Sequence, residues 1–134
     1  KRHKRYCGMV SYLRIVPEHG SIEVGHINYS LILQNTVEGT ETMYLMMYNA
    51  FENLGNRRYE WKCNNLNKDS KKAAKRLGFK YEGIFRQMFV FKGRNRDSAW
   101  FSIIDKEWKQ IQTRFKKYLN PSNFDNNYKQ IKKL

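Results

Sequence analysis

The sequence is poor in cysteine, poor in acid and free of long apolar runs. Its two cysteines, Cys7 and Cys63, lie far apart, and neither belongs to a CxxC or a Cys/His ligand spacing. That pattern argues against a zinc site and leaves two reduced thiols as the expectation. No metal is expected elsewhere. No apolar stretch approaches the roughly 20 residues that span a bilayer, and the basic residues 1–5 are followed by no signal-like apolar region. A soluble, cytoplasmic protein without membrane contact is the expectation.

Acid is scarce enough to leave a net charge of +14, from 26 Lys and Arg against 12 Asp and Glu. The excess sits on the ends: residues 1–5 contribute +4 and residues 106–134 contribute +6, so the hundred residues between hold only +4. Basic ends can touch RNA or the ribosome through sequence-blind phosphate contacts, or can simply be solvated. Hence a basic nucleic-acid-binding module without catalysis stands as the alternative to an enzyme.

What is present is a globular composition, 40% hydrophobic and 15% aromatic in 134 residues, which suits one domain with a real core. Residues 6–16 and 21–31 alternate as two strands around the turn cluster Pro17, Glu18, His19 and Gly20. A polar loop over 34–39 precedes a helix over 40–54, in which Met43, Leu45, Met46, Met47, Ala50, Phe51 and Leu54 recur at helical spacing, and Gly55 and Asn56 end it. A short strand over 58–63 leads to a helix over 67–77. Asn67 is its candidate N-cap with Ser70 in the first turn, and Gly78 followed by Phe79 suits a left-handed stop. That helix has only about three turns.

Residues 80–92 and 97–104 pair as a long hairpin across the basic loop GRNR at 93–96. From Asp105, a candidate N-cap, Trp108, Ile111, Phe115 and Tyr118 trace one face of a last helix that stops at Asn120 and Pro121. In the basic tail over 120–134, Tyr128, Ile131 and Leu134 make a weak helix face, and the tail is expected to be loosely attached. The order β-β-α-β-α-β-β-α predicts an α/β (α+β) fold, with helices and strands alternating in the middle and an antiparallel pair at the end. Helix-starting amides beside an exposed strand end form an anion and carbonyl site, suited to a phosphorylated cofactor.

Four features in this order carry a resemblance: Asn67-x-x-Ser70; Leu77-Gly78-Phe79 with Glu82-Gly83; Lys92-Gly93-Arg94-x-x-Asp97; and Glu107-Trp108. Together they resemble the GNAT superfamily of acetyl-CoA-dependent N-acetyltransferases, in particular its RimJ/RimL-like branch. The resemblance implies one GNAT-like domain over 6–119, with a mixed, mostly antiparallel sheet flanked by helices. It also implies an incomplete one, because members usually begin with a strand, two helices and a further strand before the hairpin found at the start here. A sheet truncated in that way has exposed edges, which favour a second copy or a complementing chain.

The resemblance further implies acetyl-CoA as co-substrate and a primary amine as acceptor, the amino terminus of a protein in the named branch. In the family the strand over 23–30 splays from the strand over 58–63, and the pantetheine arm lies between them. The loop Gln34, Asn35, Thr36, Val37, Glu38 and Gly39, leading to Thr40, would hold the pyrophosphate on its amides. Val37 stands where the family usually has glycine, so the cradle requires a negative φ there. Glu38 is a poor neighbour for a diphosphate. Backbone amides near Ile27 and Asn28 would stabilise the oxyanion, and Asn67 would bond the pantetheine amide while capping its helix.

Many members protonate the leaving thiolate with a Tyr seven residues after the motif Asn, but that position is Ala74. In the RimJ/RimL-like branch the Ser of the Asn-x-x-Ser motif takes that role instead, so the resemblance implies Ser70 as the general acid, and the other reading is a first-turn serine bonded to backbone. Glu23 is either the general base or a solvated strand residue. His26 lies on the same strand, facing the opposite way if the pleat is regular. Tyr29 and Trp61 line the acyl channel or belong to the core.

Overall fold

The computed structural model describes residues 6–127 and 129–134. Two antiparallel strands, β1 (Gly8–Val16) and β2 (Ser21–Tyr29), meet at a 3-10 turn over Pro17–His19, closed by Gly20 at φ 56°. Next come α1 (Val37–Tyr48), continued by a widened turn over Asn49–Asn53, then β3 (Arg58–Asn64) and α2 (Lys68–Leu77). The hairpin of β4 (Lys80–Phe91) and β5 (Arg94–Ile104) leads into α3 (Asp105–Leu119). The sheet order is β1-β2-β3-β5-β4, antiparallel except where β2 meets β3. This is the α/β arrangement that the sequence predicts.

Alternation along β3 divides the sheet into two unlike faces. Tyr59, Trp61 and Cys63 are buried toward the helices, where Ile22 and Val24 of β2 and Ala99, Phe101 and Ile103 of β5 join them. The helices cover this face, with aromatic layers from α1, its widened turn and α3: Phe51 stacks on Trp108 at 5.0 Å and Tyr44 on Phe115 at 5.3 Å, while Phe79, just past α2, stacks on Tyr59 at 5.6 Å. The predicted face of α3 holds, since Trp108, Ile111, Phe115 and Tyr118 are its buried residues.

Among the described residues no helix covers the other face, which carries charge. There an ion-pair ladder crosses the sheet. Arg14 bonds Glu23, Lys62 bonds Glu23 at 2.9 Å and Glu60 at 2.7 Å, and Arg58 bonds Glu60 at 2.7 Å and Glu82 at 2.6 Å. Ser102 donates to Glu82 at 2.7 Å, and Lys62 lies 3.9 Å over the Trp100 ring.

Four local expectations change. Helix α1 begins at Val37 rather than 40, because the Thr36 hydroxyl caps it by accepting the Gly39 amide at 3.0 Å. The cap of α3 falls at Ile104, one residue before Asp105, and the Glu107 carboxylate reaches back to the Ile104 amide at 3.1 Å. The hairpin turn is only Lys92 and Gly93, both at positive φ, so Arg94, Asn95 and Arg96 lie in the ladder rather than in a loop. The tail is tied down instead of loose. Asn123, 7% exposed, donates to the carbonyls of Tyr118 and Lys132 at 2.9 Å each and accepts the Lys132 amide at 2.8 Å. The 3-10 turn over Pro121–Asn123 is followed by a bridge between Phe124 and Gln130 in place of a helix face, while Leu134 packs on the core. Tyr128 and the basic residues 1–5 lie outside the described residues.

Candidate functional site

The parallel register of β2 and β3 runs from Ser21 opposite Arg58 to Val24 opposite Trp61 and stops there. Both strands continue, β2 to Tyr29 and β3 to Asn64, but residues 25–29 and 62–64 have no register with one another. Facing backbone edges are thus left between them, each with donors and acceptors that an extended ligand can pair. The reason lies in β2. Met9 pairs with Asn28 and Ser11 with Gly25, so β2 holds one residue more than β1 across this step, and His26 takes φ 49°. Such a bulge bends and twists its strand, here away from β3.

Asn67 and Ser70 stand at this parting. Asn67 caps α2, its side-chain oxygen accepting the Ser70 amide at 2.9 Å. The Ser70 hydroxyl accepts the Trp61 indole N–H at 3.0 Å. Trp61 is the last residue of β3 in register with β2, so this bond sets Ser70 above the point of divergence. With its oxygen occupied by the indole, the Ser70 hydroxyl keeps its proton for another acceptor. Trp61 is 5% exposed and belongs to the core, as Tyr29 does in part.

The loop after β2 is organised by short bonds. The Gln34 side chain donates to the Tyr29 carbonyl at 2.7 Å, and Thr36 donates to the Leu33 carbonyl at 2.8 Å while capping α1. Positive φ falls on Asn35, at 58°, a residue type that tolerates it. Val37 opens the helix with the ordinary negative φ. The amides of Val37 and Glu38, first in the helix, have no carbonyl of their own helix to bond. Gly39 is needed for space, since a Cβ there would lie 2.6 Å from the Leu33 carbonyl oxygen. Thr40 is buried and accepts from Arg76 of α2 at 3.2 Å. Glu38 lies in the first turn, where the helix dipole favours a carboxylate.

Sequence reasoning missed Arg76, a cation that joins the start of α1 to α2 and also reaches the Tyr118 hydroxyl at 3.4 Å. Nothing in a basic last helical turn distinguishes it from an ordinary dipole partner. It also missed the partners of Glu23. That carboxylate is 3% exposed and held by Arg14 and Lys62, so Glu23 is not solvated. Burial pushes the neighbouring Glu60 carboxyl up, but hydrogen bonds from Lys62 and Arg58 outweigh it and hold Glu60 below the usual carboxylate range. Tyr29 is raised by its burial.

His26 does not face away from Glu23 as a regular pleat would have it. Tyr12 donates to the Met46 carbonyl of α1 at 2.6 Å, which fixes its side chain on the helix face and that of the adjacent Ser11 on the other. The Ser11 hydroxyl lies 2.9 Å from His26 Nδ1. The bulge therefore carries the imidazole to the face that holds Glu23. No group of three or more His, Cys, Asp or Glu side chains converges as a metal site among the described residues, and among them no helix is long and apolar enough to cross a membrane.

No family model matches the chain, and no curated protein matches it. Solved structures do. A GCN5-related N-acetyltransferase from Brucella melitensis is 45% identical over 95% of this chain and 57% of its own, with a TM-score of 0.92. A probable acetyltransferase of the GNAT family from Chromobacterium violaceum ATCC 12472 is 47% identical over 75% of this chain and 50% of its own, with a TM-score of 0.73. Spermidine/spermine N-acetyltransferase SpeG from Vibrio cholerae, 19% identical, shares the fold over 81% of this chain and 63% of its own at a TM-score of 0.70. The chain thus spans between half and two thirds of the length of these three proteins. Over that span it has the fold of the GNAT N-acetyltransferases.

Proposed function

We propose that the chain carries the cofactor-binding half of an acetyl-CoA-dependent N-acetyltransferase that acylates a primary amine. The observation that carries this reading is the parting of β2 from β3 at Val24 and Trp61, directly below the Ser70 hydroxyl. An extended pantetheine arm fits between the two free strand edges and can pair with both. Asn67, whose side-chain oxygen is used by its cap, still has an amide N–H pair to offer the arm. Gln34, Asn35, Thr36, Val37, Glu38, Gly39 and Thr40 form the turn into α1, whose free first amides suit a diphosphate; Arg76 adds positive charge beside them.

In this reading the amine nitrogen attacks the thioester carbon, the backbone amides near Ile27 and Asn28 receive the developing oxyanion, and Ser70 hands a proton to the leaving sulfur. Glu23, the sequence's candidate base, is already committed to Arg14 and Lys62. It serves as the centre of the charged ladder rather than as the proton acceptor. The acceptor class that fits the RimJ/RimL-like resemblance is a protein amino terminus, with polyamine as the competitor suggested by the fold shared with SpeG.

Titration calorimetry with acetyl-CoA tests the cofactor reading. Saturable heat is expected, weakened at least tenfold in Asn67→Ala; absence of heat at millimolar acetyl-CoA would refute it. Thiol release with a free-amino-terminus peptide or spermidine as acceptor then tests the transfer.

A further inference from the structure

We infer that His26 is the general base of this site, accepting the proton of the incoming ammonium at Nε2, an inference that rests on the acetyltransferase reading. Three observations meet at this residue. It is the extra residue of the bulge that turns β2 out of register with β3, and it immediately precedes Ile27 and Asn28, the proposed oxyanion donors. It is exposed and holds φ 49°, a left-handed conformation that side-chain-bearing residues seldom adopt and that concentrates at functional positions. Its ring is oriented, because Nδ1 is engaged by the Ser11 hydroxyl at 2.9 Å. The Ser11 hydroxyl donates to the Gly25 carbonyl at 3.4 Å, so its oxygen accepts Nδ1–H and the Nε2 lone pair is left to take the proton.

Among the described residues, the groups of the charged ladder on that face are already paired. Arg14 from β1, Glu23 from β2, and Glu60, Lys62 and Arg58 from β3 are all paired with one another. The Glu23 carboxylate is already bonded to the cations of Arg14 and Lys62 and so is not left open to an incoming ammonium. The step balances as follows. His26 takes one proton from the ammonium, and the freed lone pair forms the C–N bond as the carbonyl becomes an oxyanion. Collapse of that oxyanion breaks the C–S bond. The second nitrogen proton ends on the departing sulfur by way of Ser70, and His26 returns its own to solvent.

The test compares wild type, His26→Asn and His26→Gly by thiol release from acetyl-CoA, with a free-amino-terminus peptide and spermidine as acceptors. Both replacements tolerate the left-handed backbone, so folding is preserved. Loss of kcat by about 10²-fold or more is expected, with the KM for acetyl-CoA unchanged. Added imidazole should restore at least tenfold of the rate in His26→Gly and none in His26→Asn. Retention of kcat in both variants overturns the assignment. If wild type binds acetyl-CoA by calorimetry yet acylates neither acceptor, the transferase reading fails and this assignment falls with it. That outcome is distinct from a defect confined to the His26 variants.

Discussion

At Ser70 a structural and a chemical role meet in one hydroxyl. Removing it in Ser70→Ala takes the acceptor from the buried Trp61 indole, and an unpaired buried donor costs about 1–3 kcal/mol. The expected result is a stability loss in that range by urea unfolding, abolished as an increment when Trp61→Phe is already present. A double-mutant cycle without coupling would show that the bond contributes nothing. Tyr59 offers the opposite case. Its hydroxyl is buried without a partner among the described residues, and burial raises it well above the ordinary phenol value. Tyr59→Phe removes an unsatisfied group while the stack on Phe79 keeps its ring. A gain of about 1 kcal/mol is expected, and a loss would mean that the hydroxyl is bonded in solution.

Among the elements, α2 was the most legible in the sequence, and the reason is chemical. Asn67 at the start and Gly78 at the end, the latter at φ 103°, are residue types that a cap and a left-handed stop select almost uniquely. The bulge in β2 was not legible. A histidine inside a strand does not by itself announce a bulge, and only the register between β1 and β2 reveals that its side chain changes face. The start of α1 was missed by three residues because the polar run over 34–39 reads as loop, and only the bond from the Gly39 amide to the Thr36 hydroxyl shows that the helix has begun at Val37. The legible helix yields a clean experiment. Asn67→Asp keeps the oxygen that accepts the Ser70 amide but removes the side-chain N–H pair, so unfolding stability should stay within about 0.5 kcal/mol of wild type, while acetyl-CoA affinity falls at least fivefold. Asn67→Ala should lose both, with about 1 kcal/mol of stability. Equal binding by Asn67→Asp and wild type would confine Asn67 to capping.

For the whole molecule, the two faces of the sheet set different dependences on solution conditions. The helix face is held by aromatic burial, which pH hardly touches. The opposite face is held by carboxylates between cations, which pH governs. Hydrogen bonds from Arg58 hold Glu82 below the usual carboxylate range against partial burial, and those from Lys62 and Arg58 do the same for Glu60. A carboxyl whose folded value lies below its unfolded one binds protons more readily when unfolded, so its contribution is present above the unfolded value of about 4.3 and is lost as pH falls through the folded one. The urea midpoint should therefore drop as pH is lowered beneath about 4.3. Glu60→Gln, in which this linkage is removed at the less exposed of the two positions, should start lower at neutral pH and fall less steeply on acidification. Raising the salt to about 1 M separates the ladder from surface charge, because partly buried pairs are screened much less than exposed ones. An acid transition equally steep in wild type and Glu60→Gln would assign it to other carboxylates and leave the charged face without a part in holding the sheet.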